Sequence, residues 1–540
     1  MHALNREMPA IPDLIAVETD QGWSLLKGDK KGSWAGSGIE VVLEVTEGQI
    51  KVSIMPCEHA LLTVKLQWLS GFAEHTRMLG DHWERAYGDL EWRGIVPERA
   101  FPWYFLALAN GRTYGYGVKT GAGAFCSWRA DTEQVTLTLD VRSGAAGVEL
   151  VGRMLHAATI VTFVGRDEGE SPFMAARRFC ARMCERPVLP HAPVYGGNNW
   201  YYAYGDSSGD RIIADSRFIS ELARGLHNRP YMVIDEGWQR DSGTGHTGGP
   251  WLGNRKFPDM AALASRMKGE GVQPGLWFRP LLEARGVPDH WVRWDGGNGA
   301  VCLDPSVPEV LAHIGETVER FISWGYALIK HDFSTFDLFG QWGYEMRAGV
   351  NKLPYAFHDR SRTSAEIVLA LYRTIAAAAG EHVVIGCNTI SHLAAGVFAI
   401  QRTGDDTSGK SWERTRYMGI NTLAYRMPQH GTFYSHDADC VGITPQVPWE
   451  LNRQWLELLA ASGTPLFVSA SPGSVSEEQK AALRQGFVFA SEPHAPGEPL
   501  DWMTTTCPRR WRLQNKEATF YWTGRWSADM ETKDGQWWSF

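Results

Sequence analysis

Two short segments in the second half of the chain place carboxylates directly after apolar runs. Lys330 and Asp332 close one such run, and Asp405 and Asp406 follow another. Enzymes built on parallel strands keep their reactive groups at strand ends of this kind. Most enzymes that cleave a glycosidic bond need two carboxyl groups, and two strand ends could supply them. We therefore treat Asp332 and the Asp405–Asp406 pair as candidate catalytic groups.

Other polar and aromatic side chains end the remaining apolar runs of this region. They are Trp200, Asp235, Glu236, Trp238, Trp277, Arg279, Cys387, Asn388, Arg402, His436, Asp437, Asp439 and Ser469. One polar residue after a strand is ordinary, but acids or bases at four of eight strand ends, beside three tryptophans, indicate a binding pocket. Carboxylates suit sugar hydroxyls and tryptophan rings suit the apolar face of a sugar, although most large aromatics fill cores.

The elements that must position these residues alternate between strand and helix from residue 193 onwards. Apolar runs predict strands at 193–199, 231–235, 273–278, 327–332, 383–387, 397–403, 431–435 and 465–470. Amphipathic periodicity predicts helices at 211–225, 260–269, 309–323, 364–379, 412–425, 450–461 and 477–485. This alternation indicates parallel strands with crossover helices, and eight units favour a closed (β/α)8 TIM barrel. A doubly wound open sheet is the alternative.

The flanking regions have a different pattern, so we expect a multidomain α/β plus β protein. An N-terminal antiparallel β-sandwich is predicted over 1–171, with strands at 40–45, 49–54, 61–66 and 135–141. A helix and spaced prolines then form a linker at 172–193, before the catalytic barrel at 194–490. The final β-type runs predict a small C-terminal β-domain at 491–540.

Composition narrows the class of protein. A net charge of −8 without long like-charge runs argues against a nucleic-acid partner, and no apolar run approaches the ~18 residues of a membrane span. Residues 1–8 lack the apolar stretch of a signal peptide, and the eight cysteines lack metal-ligand spacing. We expect a cytoplasmic protein with reduced thiols, no metal and no cofactor. A homo-oligomer is compatible with these observations.

Five segments resemble, in order and spacing, the serial motifs of the α-galactosidases of glycoside hydrolase families 27 and 36. They are Ile234-Asp-Glu-Gly-Trp-Gln239, Asn254-Arg-Lys-Phe-Pro258, Gly275-Leu-Trp-Phe278, Lys330-His-Asp332 and Arg402-Thr-Gly-Asp-Asp406. Ser462-Gly-Thr-Pro-Leu-Phe-Val-Ser469 is similar to the last barrel strand of that family. The resemblance implies a (β/α)8 barrel with a C-terminal β-domain, to which family 36 adds an N-terminal β-sandwich.

That family is retaining, and the resemblance assigns roles to the matching residues. Asp332 would be the nucleophile, and Lys330 would bind a sugar hydroxyl and help to keep Asp332 ionised. Asp406, four residues after Arg402, would be the general acid/base, with Asp405 in reserve.

The implied substrate-binding set is Trp200, Asp235, Glu236, Trp277, Lys330, Cys387, Arg402 and Asp405. In it Asp235 and Glu236 would bind hydroxyls, while Trp200 and Trp277 would frame the ring. Two departures affect this set. Glu236 stands where the family usually has aspartate, and Cys387-Asn-Thr-Ile-Ser replaces the Cys-x-Ser-Gly-Gly-Gly run of large bacterial family 36 enzymes.

The leading hypothesis is a retaining exo-α-galactosidase acting on an oligosaccharide or glycoside. A galactosyltransferase, an α-N-acetylgalactosaminidase and a β-L-arabinopyranosidase are alternatives on the same scaffold. A non-catalytic sugar-binding protein is disfavoured because both candidate catalytic carboxylates are present. A metal-dependent barrel enzyme is a further alternative, since His436, Asp437 and Asp439 could ligate a cation.

Overall fold

The computed structural model describes residues 11–29, 32–166, 169–240 and 248–523. The N-terminal residues examined for a signal peptide, 1–8, and the end of the predicted C-terminal domain, 524–540, lie outside these ranges. Within the described ranges no helix is long and apolar enough to cross a membrane.

The N-terminal part contains two antiparallel sheets. Across the first lie Gly22–Leu25, Leu14–Thr19, Ala60–Trp68, Val135–Asp140, Phe125–Ala130 and Phe101–Pro102, with Val148–Glu149 beside Ala60–Trp68. Across the second lie Lys27–Gly28, Ser33–Gly36, Ile39–Thr46, Gln49–Ile54, Leu155–Val164, Arg112–Val118, Tyr104–Ala109 and Arg77–Gly80. The rings of Phe105 and Trp128, one from each sheet, lie 6.0 Å apart. All four strands predicted in this region are present in these sheets.

A parallel sheet of nine strand segments organises the second half of the chain. In chain order the segments are Tyr195–Asn198, Tyr231–Ile234, Gln273–Phe278, Leu328–His331, Val383–Gly386, Ile400–Arg402, Ser435–Asp437, Val441–Ile443 and Leu466–Ala470. Segments one to seven are neighbours in chain order, and the first also pairs with the ninth, which pairs with the eighth. The seventh and eighth segments are the two edges of this sheet, and only residues 438–440 separate them. The sheet is therefore curled, with its two edge segments brought towards each other.

Crossover helices connect the strands, and all seven that the sequence predicts are present. They are Gly209–Leu222, Met260–Gly269, Pro308–Ser323, Ser364–Ala379, the consecutive segments Trp412–Thr415, Arg416–Asn421 and Thr422–Arg426, then Trp449–Ala461 and Glu477–Ala490. In the fifth of these helices, the middle segment Arg416–Asn421 is a π-helix. Short helices occupy the loops after the first, fourth and fifth strands, at Trp200–Ala203, Ser334–Phe339, Gly343–Met346 and Ser391–Ala394.

The prediction for the seventh strand is wrong in position. It was placed at 431–435, whereas the strand begins at Ser435 and continues after residue 440. Residues 431–434 form a turn, in which the Gly431 N–H donates to the Tyr434 carbonyl at 2.8 Å. The β-branched and aromatic residues of this turn suggested a strand. The strand itself is polar and buried, a combination that a hydrophobic pattern does not detect.

Three further elements complete the fold. Helix Pro172–Met183 packs on the N-terminal sheets, where Phe179 contacts Tyr104 and Phe163. A small antiparallel sheet, not predicted from the sequence, follows the third parallel strand and contains Leu282–Ala284, Val292–Gly297 and Ala300–Leu303. Near the end of the described chain, a second small sheet contains Glu498–Pro499, Arg510–Leu513 and Lys516–Thr519.

Candidate active site

A buried ion pair joins the second and fourth parallel strands at their carboxyl ends. Lys330 Nζ lies 2.7 Å from Oδ2 of Asp235, and the Asn198 amide donates to the same oxygen at 2.7 Å. Burial disfavours the charged lysine, but Asp235 outweighs it and holds the pKa of Lys330 well above its usual value. The ammonium group therefore stays charged, as a hydroxyl-binding lysine requires.

Both carboxylate oxygens of Asp332 are oriented by N–H groups. Oδ1 accepts from the Phe333 backbone at 2.7 Å, and Oδ2 accepts from the Trp277 indole at 3.0 Å. Phe333 has a φ of 60°, a left-handed conformation that non-glycine residues adopt rarely. Trp277 was predicted to frame a sugar ring. The residue is only 1% exposed, and besides packing against Trp251 it donates its indole N–H to Asp332.

Arg402 links the sixth strand to two acids. Its Nη1 lies 2.9 Å from Asp439, which follows the seventh strand, and its Nη2 lies 2.7 Å from Oδ1 of Asp406. The arginine is buried and its pKa is held well above the usual value, because the attraction of Asp439 and other neighbours outweighs desolvation. Arg402 is therefore fixed as a cation beside Asp406.

The neighbouring acids Asp405 and Asp406 differ in the number of carboxylate oxygens that form ion pairs. Asp405 pairs through Oδ1 with Arg85 at 3.2 Å and through Oδ2 with Arg414 at 2.6 Å. Asp406 uses only Oδ1 for its ion pairs, and its side chain is 40% exposed against 16% for Asp405. Among the described residues, Asp406 is thus the acid of the pair with a free and accessible oxygen.

The electrostatics of Asp406 favour its ionised form. Partial burial favours the neutral acid, but Arg402, Arg85 and Lys330 outweigh it and lower the pKa of Asp406 to about 2. In the substrate-free protein at neutral pH this carboxyl is therefore a carboxylate.

The surroundings of Glu236 favour its neutral form, in contrast to those of Asp406. Burial raises its pKa to about 7, and the negative charges of Asp235 and Asp332 add to this effect, against the opposing pull of Arg279 and Lys330. Within the described part of the chain, its carboxylate makes no hydrogen bond, unlike that of Asp235. Glu236 therefore changes charge near neutral pH and has its full hydrogen-bonding capacity available.

Two other predicted binding residues follow the fifth and first parallel strands. The Cys387 thiol is buried, and burial together with the nearby Asp332 charge holds its pKa well above the usual value. It is therefore a neutral thiol. Trp200 begins a short helix directly after the first strand, is partly exposed and lies 5.6 Å from the ring of Tyr204.

The seventh-strand acids do not form the cation site that the sequence allowed. Asp439 binds Arg402 and the hydroxyl of Tyr201, and accepts from the Thr407 backbone and hydroxyl at 2.7 and 2.9 Å. His436 uses Nδ1 on Thr403 at 2.6 Å. No group of three His, Cys, Asp or Glu side chains in the described ranges is placed to hold a metal ion. Asp439 instead orients Arg402.

Sequence reasoning missed the contribution of the N-terminal sheets to this site. Arg85 reaches Asp405 and Asp406 from the segment after strand Arg77–Gly80. Its neighbour Glu84 accepts from the Gly343 N–H at 2.7 Å and from the Asn388 amide, which lie after the fourth and fifth parallel strands. The available signal was the charged and aromatic run Asp81-His-Trp-Glu-Arg-Ala-Tyr-Gly-Asp89.

The solved structures to which this chain is similar include α-galactosidases. TtGalA from Thermus thermophilus, in complex with p-nitrophenyl α-D-galactopyranoside, superposes with a TM-score of 0.60 at 17% identity over 94% of this chain and 99% of that chain. The family 36 enzymes AgaA and AgaB from Geobacillus stearothermophilus give TM-scores of 0.59 and 0.60 at 16% and 15% identity. Each match covers 88% of this chain, with 75% of AgaA and 74% of AgaB.

These matches confirm the resemblance to family 36 at the level of the fold. Neither a protein-family model nor a curated protein sequence matches the chain. At identities of 15–17% the likeness establishes architecture, and the activity must be argued from the site.

Proposed function

We propose that this protein is a retaining exo-α-galactosidase whose site lies at the mouth of a closed (β/α)8 barrel. The observation that carries the proposal is the convergence of the Asp235–Lys330 pair, the oriented Asp332 and the Arg402–Asp406 pair at the carboxyl ends of one parallel sheet. A hydroxyl-binding pair, a fixed carboxylate and a second accessible carboxylate are what double displacement at a sugar requires.

In the proposed first step, a carboxylate oxygen of Asp332 attacks the anomeric carbon. The bond to the leaving oxygen breaks as Asp406 donates its proton to that oxygen, which leaves a glycosyl-enzyme ester. In the second step, Asp406 accepts a proton from water as the water oxygen attacks the same carbon and releases Asp332. Two inversions give retention overall.

The first step needs a protonated Asp406, whose pKa is about 2 in the free protein. Substrate must therefore change its surroundings. A sugar hydroxyl that engages Arg402 weakens the closest ion pair of Asp406, and a bound ring excludes water from the carboxyl. Both changes favour the neutral acid, so proton uptake accompanies substrate binding.

Galactose is the proposed sugar because Asp235, Lys330 and Arg402 keep the hydroxyl-binding set that the resemblance implies. Glu236 extends one methylene further than the family's aspartate. A β-L-arabinopyranoside, which lacks the exocyclic hydroxymethyl group, is therefore the informative competitor. The sugar complexes of TtGalA, with p-nitrophenyl α-D-galactopyranoside and with stachyose, suggest simple glycosides and oligosaccharides as substrates to test.

The test is a panel of p-nitrophenyl glycosides with the wild-type protein and an Asp332→Gly variant. We expect α-D-galactopyranoside to have the highest kcat/KM, and the variant to lose several orders of magnitude while staying folded. Azide should partly restore the variant by entering the vacated space, with β-galactosyl azide as the product. Preference for the arabinoside would replace the proposed sugar, while near-normal activity of the variant or an α-azide product would reject the mechanism.

A further inference from the structure

Residues 81–89, here called the strap, lie across residues 403–406, here called the acid loop, which carry Asp406. The Ala86 N–H donates to the Thr403 carbonyl at 2.7 Å, and the Asp405 N–H donates to the Ala86 carbonyl at 2.8 Å. This parallel bridge between Ala86 and Gly404 sets the strap in register with the acid loop. Contact between the two segments is therefore built into the backbone.

A buried arginine fixes the strap on the parallel sheet. Arg426 binds Asp81 through Nη2 at 2.7 Å, and its Nη1 donates to the carbonyls of Glu84 at 2.6 Å and Thr403 at 3.1 Å. One guanidinium group thus holds the start of the strap and the start of the acid loop together. The side chain of Arg426 is completely buried, so this junction is protected from water.

Arg85 is the strap residue that faces the acids. Its side chain is 6% exposed, its Nη1 lies 3.2 Å from Asp405 and 3.5 Å from Asp406, and its guanidinium lies 5.4 Å from the Trp342 ring centre. Arg402 and Lys330 also attract Asp406, and the charge of Asp406 in turn helps to raise the pKa of the buried Tyr201. Arg402 and Lys330 end parallel strands, so Arg85 is the cation that reaches this acid from the N-terminal sheets.

We propose that Arg85 is a positioning residue of the active site, which holds the acid/base Asp406 from the strap. The inference rests on the proposed function. Arg402 and Arg85 approach the same oxygen of Asp406, Oδ1, so neither ion pair occupies Oδ2. A buried cation with a fixed fork restricts the carboxylate in a way that a mobile surface charge cannot.

The experiment compares Arg85→Gln, Arg85→Lys and Arg414→Gln on two substrates. Arg414 is the matched control because it pairs with Asp405 at 2.6 Å from the other side. We expect Arg85→Gln to lower kcat/KM on an α-galactosyl oligosaccharide by roughly 10- to 100-fold, and on p-nitrophenyl α-galactoside by less than ~3-fold. Only the poor leaving group needs the proton from Asp406. Arg414→Gln should leave the ratio between the two substrates unchanged.

The pH profile separates positioning from folding. Removing a cation beside Asp406 should move the basic limb of kcat on the oligosaccharide, which reports this acid in the substrate complex, to higher pH by roughly half to one unit in Arg85→Gln. Arg85→Lys keeps the positive charge and should keep the basic limb at the pH of the wild type. This variant is used for the comparison if Arg85→Gln does not fold. Identical ratios and limbs in Arg85→Gln, Arg414→Gln and the wild type would overturn this inference alone. A wild type inactive on every glycoside would overturn the proposed function, and this inference with it.

Discussion

The indole N–H of Trp277 donates to the carboxylate of Asp332 across neighbouring strands, at 3.0 Å. The strand register places Trp277 opposite Lys330, so the tryptophan and the lysine flank the same reactive position. A buried tryptophan needs a partner for its N–H, and here that partner is the proposed nucleophile. The aromatic ring therefore acts through its nitrogen on the orientation of Asp332.

Trp277→Phe should lower kcat by roughly 10- to 100-fold with little change in KM. A hydrogen bond to a charged acceptor is worth ~1.5–3 kcal/mol, and this one holds the attacking group rather than the substrate. Steady-state kinetics on p-nitrophenyl α-galactoside would measure it. Trp251→Phe is the matched control, because Trp251 packs against Trp277 with ring centres 6.0 Å apart. Equal losses in the two variants would mean that packing, and not the hydrogen bond, is responsible.

Asp406→Ala and Asp405→Ala should differ in their response to the leaving group. Asp406 has the accessible oxygen, whereas both oxygens of Asp405 are paired with Arg85 and Arg414. Asp406→Ala should therefore lose ~100- to 10,000-fold on an oligosaccharide and far less on a nitrophenyl glycoside. The ratio of kcat/KM values on the two substrates is the readout. If only Asp405→Ala shows this dependence, the two roles are reversed.

Galactose should bind more tightly as pH rises towards the pKa of Glu236. Burial raises that pKa to about 7, so below it the side chain is neutral and above it the charged carboxylate accepts more strongly from a hydroxyl. One such proton changes the inhibition constant by at most ~10-fold per pH unit. Product inhibition between pH 5 and about 8.5 would measure this, with Glu236→Gln expected to be flat. A slope that persists in the glutamine variant would assign the titration to another group.

Arg426→Met should destabilise the fold by roughly 3–5 kcal/mol, because Asp81 is left as a buried and uncompensated charge. Adding Asp81→Asn should recover part of the loss. Calorimetric melting of the single and double variants tests the pair. Arg453→Met, which removes an exposed pair with Glu457, is the control and should cost less than ~1 kcal/mol. A loss that small in Arg426→Met would show that the junction contributes little.

Local pattern was sufficient for the regular elements. Helices Met260–Gly269 and Ser364–Ala379 and strand Gln273–Phe278 have the predicted bounds, because their periodicity and flanking residues are contiguous in sequence. Buried polar strands are the exception. Ser435–Asp437 is buried at every position, so its character depends on partners from other strands and could not be inferred from its own residues.

The residues of the candidate site fall into two groups, those identified from local sequence and those placed by contacts that are distant in sequence. Asp235, Lys330, Asp332, Arg402 and Asp406 lie at or after the carboxyl ends of strands and were identified as candidates from that placement. Asp439 was also singled out, as a candidate cation ligand, but its pairing with Arg402 depends on a long-range contact, as does the reach of Arg85 to Asp405 and Asp406. Trp277 was identified as a candidate, but its hydrogen bond to Asp332 was not predicted, because whether an indole N–H faces a neighbouring carboxylate is decided by packing.

The strap also determines how such a chain can diversify. The Asp81–Arg426 pair and the Ala86–Gly404 bridge join segments that are far apart in sequence. Recombination that brings a foreign catalytic half to this N-terminal half separates Asp406 from Arg85 and leaves Asp81 or Arg426 without its partner. Substitutions on either side of the junction must therefore stay compatible with each other. The strap and the acid loop thus form one structural unit, although they belong to different halves of the chain.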